Sequence, residues 1–383
     1  MGIIRDKVFS LVLVAAVVFS QAGCGIVDAL VGGVSNAIGL SDTAIVISKT
    51  AQIRTSYAVV AADLLEVKRG ETLEKLDEME FEKVRWYRVR ANDEAATEGW
   101  IEAQHVITSE VLESSRKLVS EFQNRTPQAA GQLRAASNLR LAPDMAPENV
   151  LFKLANGSTF EIMNWRFVPK QEVGDVDDST LAERRPGKRS KNEEIEAAKE
   201  ANEPEKLEEK YDIWYLVRLD PSISPAPAGW LFGRQVELQV PSDIVFFQQN
   251  NRKFVSWQRL DTDTADRVGL GERVGSPGNW VIVSRTNQVK QIDGVEPDFD
   301  GILVLAFDKY EQSFYTVWRS SGDVWGQLPL VVEGAGDNKT FTLRLRHPEG
   351  RIDEKRFVVF RDRNRIRMTP PEDIAQYMQA RSR

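Results

Sequence analysis

The chain has 383 residues, 28% of them charged, a formal net charge of −7, two histidines and one cysteine. That length allows two or three separately cored domains, and the acidic balance argues against a general nucleic-acid binder, which presents a strongly basic face. A single cysteine cannot supply a disulfide framework, and two histidines make a His-rich metal site or a Ser-His-Asp triad a poor expectation.

In chain order, Arg5 and Lys7, the apolar run Val8 to Phe19 and the small-residue stretch Ser20-Gln21-Ala22-Gly23 read as an export signal over residues 1–23. The apolar run is shorter than the about 20 helical residues a hydrocarbon core requires, so cleavage rather than membrane spanning is expected. Cys24 directly after Ala22-Gly23 resembles the acylated cysteine of bacterial lipoproteins, although Gln21 stands where that signal usually carries leucine. Cleavage by an ordinary signal peptidase is the alternative. The resemblance implies a lipid on Cys24 that holds the protein to the membrane of the cell envelope. Gly25, where an inner-membrane retention signal would have aspartate, implies an outer-membrane position facing the periplasm in a two-membrane cell.

Residues 24–43 are read as a tether. Ile26, Val27, Leu30, Val31, Val34 and Ile38 would also form a helical stripe on a membrane surface, which Gly32-Gly33 and Gly39 weaken.

A four-point frame then occurs twice. Ile53-Arg54, Gly70, Trp86-Tyr87, Gly99-Trp100 and Val106 recur as Leu139-Arg140, Gly157, Trp214-Tyr215, Gly229-Trp230 and Val236. The first interval is 17 residues in one copy and 18 in the other, and the last is 7 in both. Short alternating runs between charged turns make both copies β modules, at 44–108 and 134–240. Val111, Leu112, Leu118, Val119 and Phe122 mark a helix in the connector 109–133, ending near Pro127. The second copy carries 41 extra residues between Gly157 and Trp214. This insertion, 170–210, is highly charged and poor in large apolar side chains, so it is expected to be disordered or at most partly helical. Its basic cluster Arg184 to Lys191 is a solvated loop or a contact for anionic envelope polymer and headgroups.

Residues 241–383 begin with a short helical stretch at Ser242 to Gln249 and continue as strands at 254–257, 280–283, 302–307, 313–318, 341–345 and 357–360. An antiparallel meander is expected, either partly closed or covered by a helix. The tail from Pro370 is read as a short helix with a basic end, capping an open edge.

The frame residues, together with Ser137-Asn138-Leu139-Arg140-Leu141-Ala142-Pro143, resemble bacterial SH3-like domains over about 44–108 and 134–240. The first copy is looser, with Gln52 for the usual asparagine and no proline. The expected fold is therefore mainly β, with two small SH3-like β-barrels followed by an antiparallel, meander or barrel-like C-terminal domain. The glycines at 70 and 157 suit positive φ in a turn, and those at 99 and 229 precede an aromatic entering a strand. Trp86, Trp100, Trp214 and Trp230 are expected to fill the barrel cores. Tyr87 and Tyr215 alternate with them and are expected on the opposite face, as groove residues. The resemblance implies binding of peptidoglycan peptides or other peptide segments.

Catalytic chemistry is sparse in this sequence. Asp298 and Asp300 could serve a hydrolase or present carboxylates to a calcium ion, and Asp261 to Asp266 is a second acidic loop of the latter kind, but neither has EF-hand spacing and plain turns are the favoured reading of both. Gly269-Leu270-Gly271 with Gly275 lacks the context of a phosphate loop. His105 and His347 read as structural or exposed. No cofactor or metal is expected. The leading expectation is a non-catalytic, envelope-anchored lipoprotein whose paired modules bind cell wall or envelope proteins. The alternatives are a wall-targeted hydrolase using Asp298 and Asp300, and a β-barrel in which Trp257, Trp280, Trp318 and Trp325 line an apolar pocket.

Overall fold

The duplicated frame is a duplicated sheet. The computed structural model describes residues 42–170, 207–249, 252–261, 277–335 and 338–379. The expected signal, Cys24, the tether up to residue 41, nearly all of the insertion and the loops from Thr262 to Gly275 lie outside these residues. The chain is mainly β, and it divides into two units, Met1–Ser109 and Glu110–Arg383.

In the first unit β1 (Thr43–Val46), β2 (Thr50–Arg54), β3 (Asp63–Lys68), β4 (Thr72–Phe81), β5 (Val84–Arg90), β6 (Glu98–Glu102) and β7 (Val106–Thr108) form one antiparallel sheet ordered β3-β2-β6-β5-β4-β1-β7. In the second unit a helix, α1 (Ser109–Ser120, its first residue in the first unit), precedes β8 (Ala129–Leu133), β9 (Ser137–Arg140), β10 (Val150–Leu154) and β11 (Thr159–Pro169). After them come α2 (Leu207–Lys210), β12 (Tyr211–Arg218), β13 (Ala228–Phe232) and β14 (Val236–Leu238). Their order is β10-β9-β13-β12-β11-β8-β14, the first order with every strand number raised by seven. Even the 3-10 turn before the last strand recurs, at Ala103–His105 and Gly233–Gln235. The second sheet begins at Ala129, so residues 129–133, assigned to the connector from sequence, are its first strand; alternating burial of Ala129, Gly131 and Leu133 puts them there.

Each frame residue has a physical reason. Gly70 and Gly157 take φ of +87° and +81°, left-handed values that disfavour a side chain. The closing valines seal the ends of the sheets, Val106 against Val46 and Val236 against Leu133. Gly99 and Gly229 lie not in turns but inside β6 and β13, where those strands meet β2 and β9. A Cβ on Gly99 would fall 2.5 Å from the Arg54 carbonyl oxygen and 2.6 Å from Ile53 Cγ2, and one on Gly229 would fall 2.5 Å from Leu139 Cγ. The apolar-Arg pair and the Gly-Trp pair are thus two sides of one close approach. The arginine side chains then pin the loop that follows. Arg54 donates to the carbonyls of Val59 (3.0 Å) and Ala61 (2.9 Å), and Arg140 to that of Ala146 (2.7 Å).

The hairpin tips differ. β4 and β5 turn through Glu82 and Lys83, both at positive φ, as a two-residue connection needs. In the second copy the equivalent ladder runs to Pro169 opposite Tyr211, and the insertion leaves from its tip.

The C-terminal part contains β15 (Lys253–Arg259), β16 (Trp280–Arg285), β17 (Gly301–Asp308) and β18 (Ser313–Arg319) as one four-stranded meander. After β19 (Asp323–Val324), the strands β20 (Gly326–Ala335), β21 (Asn338–Arg346), β22 (Ile352–Asp362) and β23 (Arg365–Thr369) form a second. The single expected meander is therefore two. The stretch at 242–249 forms only a 3-10 turn, Val245–Phe247. The tail likewise is a 3-10 turn, Ile374–Tyr377, followed by β24 (Met378–Gln379), which pairs with β19. The described part of the tail is therefore a 3-10 turn and a strand rather than the expected short helix, and its basic end lies outside the described residues.

Substituting Gly99→Ala or Gly229→Ala should cost about 1–3 kcal/mol through overpacking. Gly70→Ala, with nothing within 4 Å of the added carbon, should cost only the backbone strain of about 1–2 kcal/mol. Urea unfolding of the three variants checks this; the explanation fails if Gly99→Ala and Gly229→Ala unfold at the wild-type midpoint.

Candidate functional site

Period-two alternation puts Trp86 and Arg88 on one face of β5, and Tyr87 and Val89 on the other. The inner face is the tyrosine face. Tyr87 is buried with Val46, Ile53, Leu73, Val89 and Ile101 in one apolar cluster, which reverses the expected orientation of Tyr87 as a groove residue. A tyrosine body can fill a small core as well as a tryptophan can, and alternation alone does not say which face closes inward.

The tryptophans lie on the outer face, and the two copies treat that face differently. In the second, Trp214, Leu216 and Trp230 are buried beneath Leu118 of α1 and Phe122 just beyond it, with Val168 and Phe232 beside them. Ser115 of α1 binds both the carbonyl (2.6 Å) and the amide (3.1 Å) of Ala228, which fixes the helix along β13. In the first copy Arg88 stands where the second has Leu216, each opposite its Gly-Trp tryptophan, and Glu102 stands where the second has Phe232. Trp86 is buried, but Trp100 is only half buried. Tyr57, from the loop that Arg54 pins, meets Trp100 edge-on at 5.3 Å and lies 5.0 Å from Phe81 at the hairpin tip. Beside them Val59 and Val60 are 82% and 94% exposed. Three half-buried rings and two exposed valines next to Arg88 and Glu102 make a surface suited to an apolar segment with polar flanks. Tyr57 and Phe81 were not singled out from the sequence; Tyr57 follows the frame arginine by three residues, the one signal that could have pointed to it.

Tyr215 is half buried and meets Trp165 edge-on at 6.0 Å. Trp165 Nε1 donates to Asp298 (2.9 Å), the Arg285 guanidinium lies 5.2 Å from the centre of the Phe167 ring, and Tyr211 donates to Gln291 (3.1 Å). This side of the second sheet is thus occupied by segment 285–298 of the same chain. The first copy carries Glu78 and Glu80 where the second has Trp165 and Phe167.

Asp298 and Asp300 are enclosed. Asp298 accepts from Trp165 and from the Leu328 amide (2.8 Å), and Asp300 from the amide (2.8 Å) and hydroxyl (2.9 Å) of Thr286. Burial pushes both carboxyls above the usual 3.8, and these hydrogen bonds oppose the rise without cancelling it; for Asp300 the nearby Asp323 adds to it. Their acceptor positions are committed to holding loops together. Among the described residues no group of three or more His, Cys, Asp or Glu is placed to hold a metal ion. His105 bonds Ser48 (2.8 Å), and His347 accepts from the Glu349 amide (3.2 Å). Trp257 and Trp325 are fully buried, Trp280 donates to Asp243 (2.8 Å), and Trp318 packs 5.8 Å from Phe357. Trp257, Trp280 and Trp325 are thus buried in packing, whereas Trp318 is half-buried; the register puts Trp257 and Trp280 on one face of the first meander and Trp318 on the other, so the four do not line one pocket. No helix among the described residues is long and apolar enough to cross a membrane.

A buried carboxyl with a raised folded-state value favours folding in its protonated form. The contribution of Asp300 is therefore fully present below 3.8 and lost as pH rises through its folded value. Asp300→Asn keeps an acceptor for Thr286 and removes that loss. Its urea midpoint relative to wild type should rise between about pH 4 and about pH 8; a difference independent of pH would contradict the assignment.

No family model matches this chain, and no curated protein does. Among solved structures, one similar chain is a candidate autolysin from Listeria monocytogenes, 11% identical, with a TM-score of 0.16, covering 85% of this chain and 92% of that one. A likeness this distant carries no argument about fold or function.

Proposed function

We propose that the protein is a non-catalytic, envelope-anchored lipoprotein, lipidated at Cys24, whose two SH3-like modules have divided their labour. The first binds a cell-wall or protein partner in the envelope; the second joins the first to the C-terminal β domain. One observation carries this reading: the outer tryptophan face is closed by α1 in the second module and left half open in the first. The substitutions follow the same division. Leu216, Phe232, Trp165 and Phe167 give the second module apolar surfaces for its own chain, whereas Arg88, Glu102, Glu78 and Glu80 keep the equivalent positions of the first module hydrated. The ligand surface is then Tyr57, Phe81 and Trp100, rather than Tyr87 and Tyr215.

Retention by isolated cell wall or by envelope extract tests the proposal. Trp100→Ala and Tyr57→Ala should each reduce retention about tenfold or more while leaving the fold intact, as expected for aromatic anchors. Trp230→Ala should instead lower stability by about 3–5 kcal/mol, as loss of a buried tryptophan does. Retention unaffected by either substitution in the first module would reject the assignment. Mass spectrometry of the mature N-terminus tests the anchor: an unmodified peptide beginning at Gly23 would exclude lipidation.

A further inference from the structure

We propose that a cleft at one end of the C-terminal β domain binds a neutral sugar ring. Three parts of the chain converge there: the tip of hairpin β17–β18, the tip of hairpin β22–β23, and the adjoining ends of β15 and β16. They enclose a cavity of about 260 Å³. Pockets for drug-sized ligands begin at about 300 Å³, so this one has room for a single ring rather than a chain.

The charge of the lining selects a neutral ligand. Asp261 and Asp308 stand against Lys309 and Arg361, two acids against two bases. Asp261 is already held by Arg259 through two bonds (2.9 and 2.8 Å), and Arg361 has a partner of its own. An ionic ligand would meet no surplus of opposite charge to replace its hydration.

What the lining does offer is hydrogen bonding in both senses. Asn279 is buried, and its Oδ1 accepts from the Phe307 amide (3.0 Å), which leaves the Nδ2 hydrogens to donate. The Tyr315 hydroxyl accepts from the Ile366 amide (2.8 Å) and keeps its own proton. Asp308 accepts from the amides of Tyr310 (2.9 Å) and Glu311 (3.2 Å) through Oδ1 alone, so Oδ2 remains a charged acceptor. Exposed Asn364 adds a donor and an acceptor. Donors and acceptors gathered around one small volume are the complement of sugar hydroxyls, which do both. Apolar surface completes the match. Phe307 and Ile366 line the cleft, and Tyr310 is 84% exposed beside them. The negative face of such a ring is the partner that the C–H side of a sugar packs against.

This site is separate from the aromatic surface of the first module. It deepens the envelope-binding reading, on which it rests for the source of the sugar. Calorimetric titration of the purified full chain with methyl N-acetyl-β-glucosaminide, a single neutral ring, tests it against glucitol, an open-chain polyol, and N-acetylmuramic acid, a similar ring carrying a carboxylate. The neutral ring should bind best of the three. Tyr310→Ala, at an exposed position, and Asp308→Asn, which keeps the Oδ1 acceptor of its turn, should each weaken it about tenfold. Absent binding of the neutral ring, equal binding of glucitol, tighter binding of the acid, or wild-type affinity in either variant would overturn the proposal. Trp100→Ala should leave the affinity unaltered. Wall retention that depends on Trp100, with no titration signal, would thus reject the cleft while sparing the first module; a titration signal without Trp100-dependent retention would do the reverse.

Discussion

Two backbones pass so closely where β2 meets β6, and β9 meets β13, that only glycine can occupy the crossing. Everything characteristic of the two modules is arranged around that approach. The apolar residue before each arginine packs into the space the glycine leaves, and the arginine side chain turns to hold the following loop by its carbonyls. The tryptophan after each glycine is thereby placed on the outer face. Because hydrophobic burial is nondirectional, it could stabilise many sheets of this size; steric exclusion at the crossing selects one register.

From this shared frame the copies diverge through a few side chains. Replacing Arg88 and Glu102 by Leu216 and Phe232 converts a hydrated sheet face into one that must be covered. α1 covers it, and does so beside the polar clasp of Ser115 on Ala228. On another side, Trp165 and Phe167 lead to Asp298 and Arg285, so the second module is held by its own chain on two sides. The buried carboxyl of Asp298 is costly to desolvate, yet it satisfies an indole and a backbone amide that would otherwise be unpaired at the same junction.

Much of this was legible in the sequence, for identifiable reasons. The frame could be read because steric requirements for glycine, and the large side chains next to it, recur at nearly constant spacing. The strands at 302–307 and 280–283 could be read because they are uninterrupted apolar runs. β20 was missed: Gly326, Pro329 and Gly334 break its pattern, and its partners supply the order its own residues do not signal. The inversion of Tyr87 has a different origin. Alternation divides a strand into two faces but carries no label for the interior, and here both faces hold aromatic residues. Tyr57, Phe81 and Trp100, and likewise the residues of the C-terminal cleft, are scattered along the chain and become neighbours only when loops and hairpin tips meet.

The position of the insertion has a consequence for how such a protein can change over time. The ladder of β11 and β12 is complete at Pro169 and Tyr211, so the added sequence enters beyond the last pairing that specifies register. Lengthening a connection from two residues to about forty costs only on the order of 2–3 kcal/mol of closure entropy, because that cost grows logarithmically. Hairpin tips are therefore where this architecture can acquire new sequence, and new chemistry with it, without renegotiating the crossing on which the fold rests.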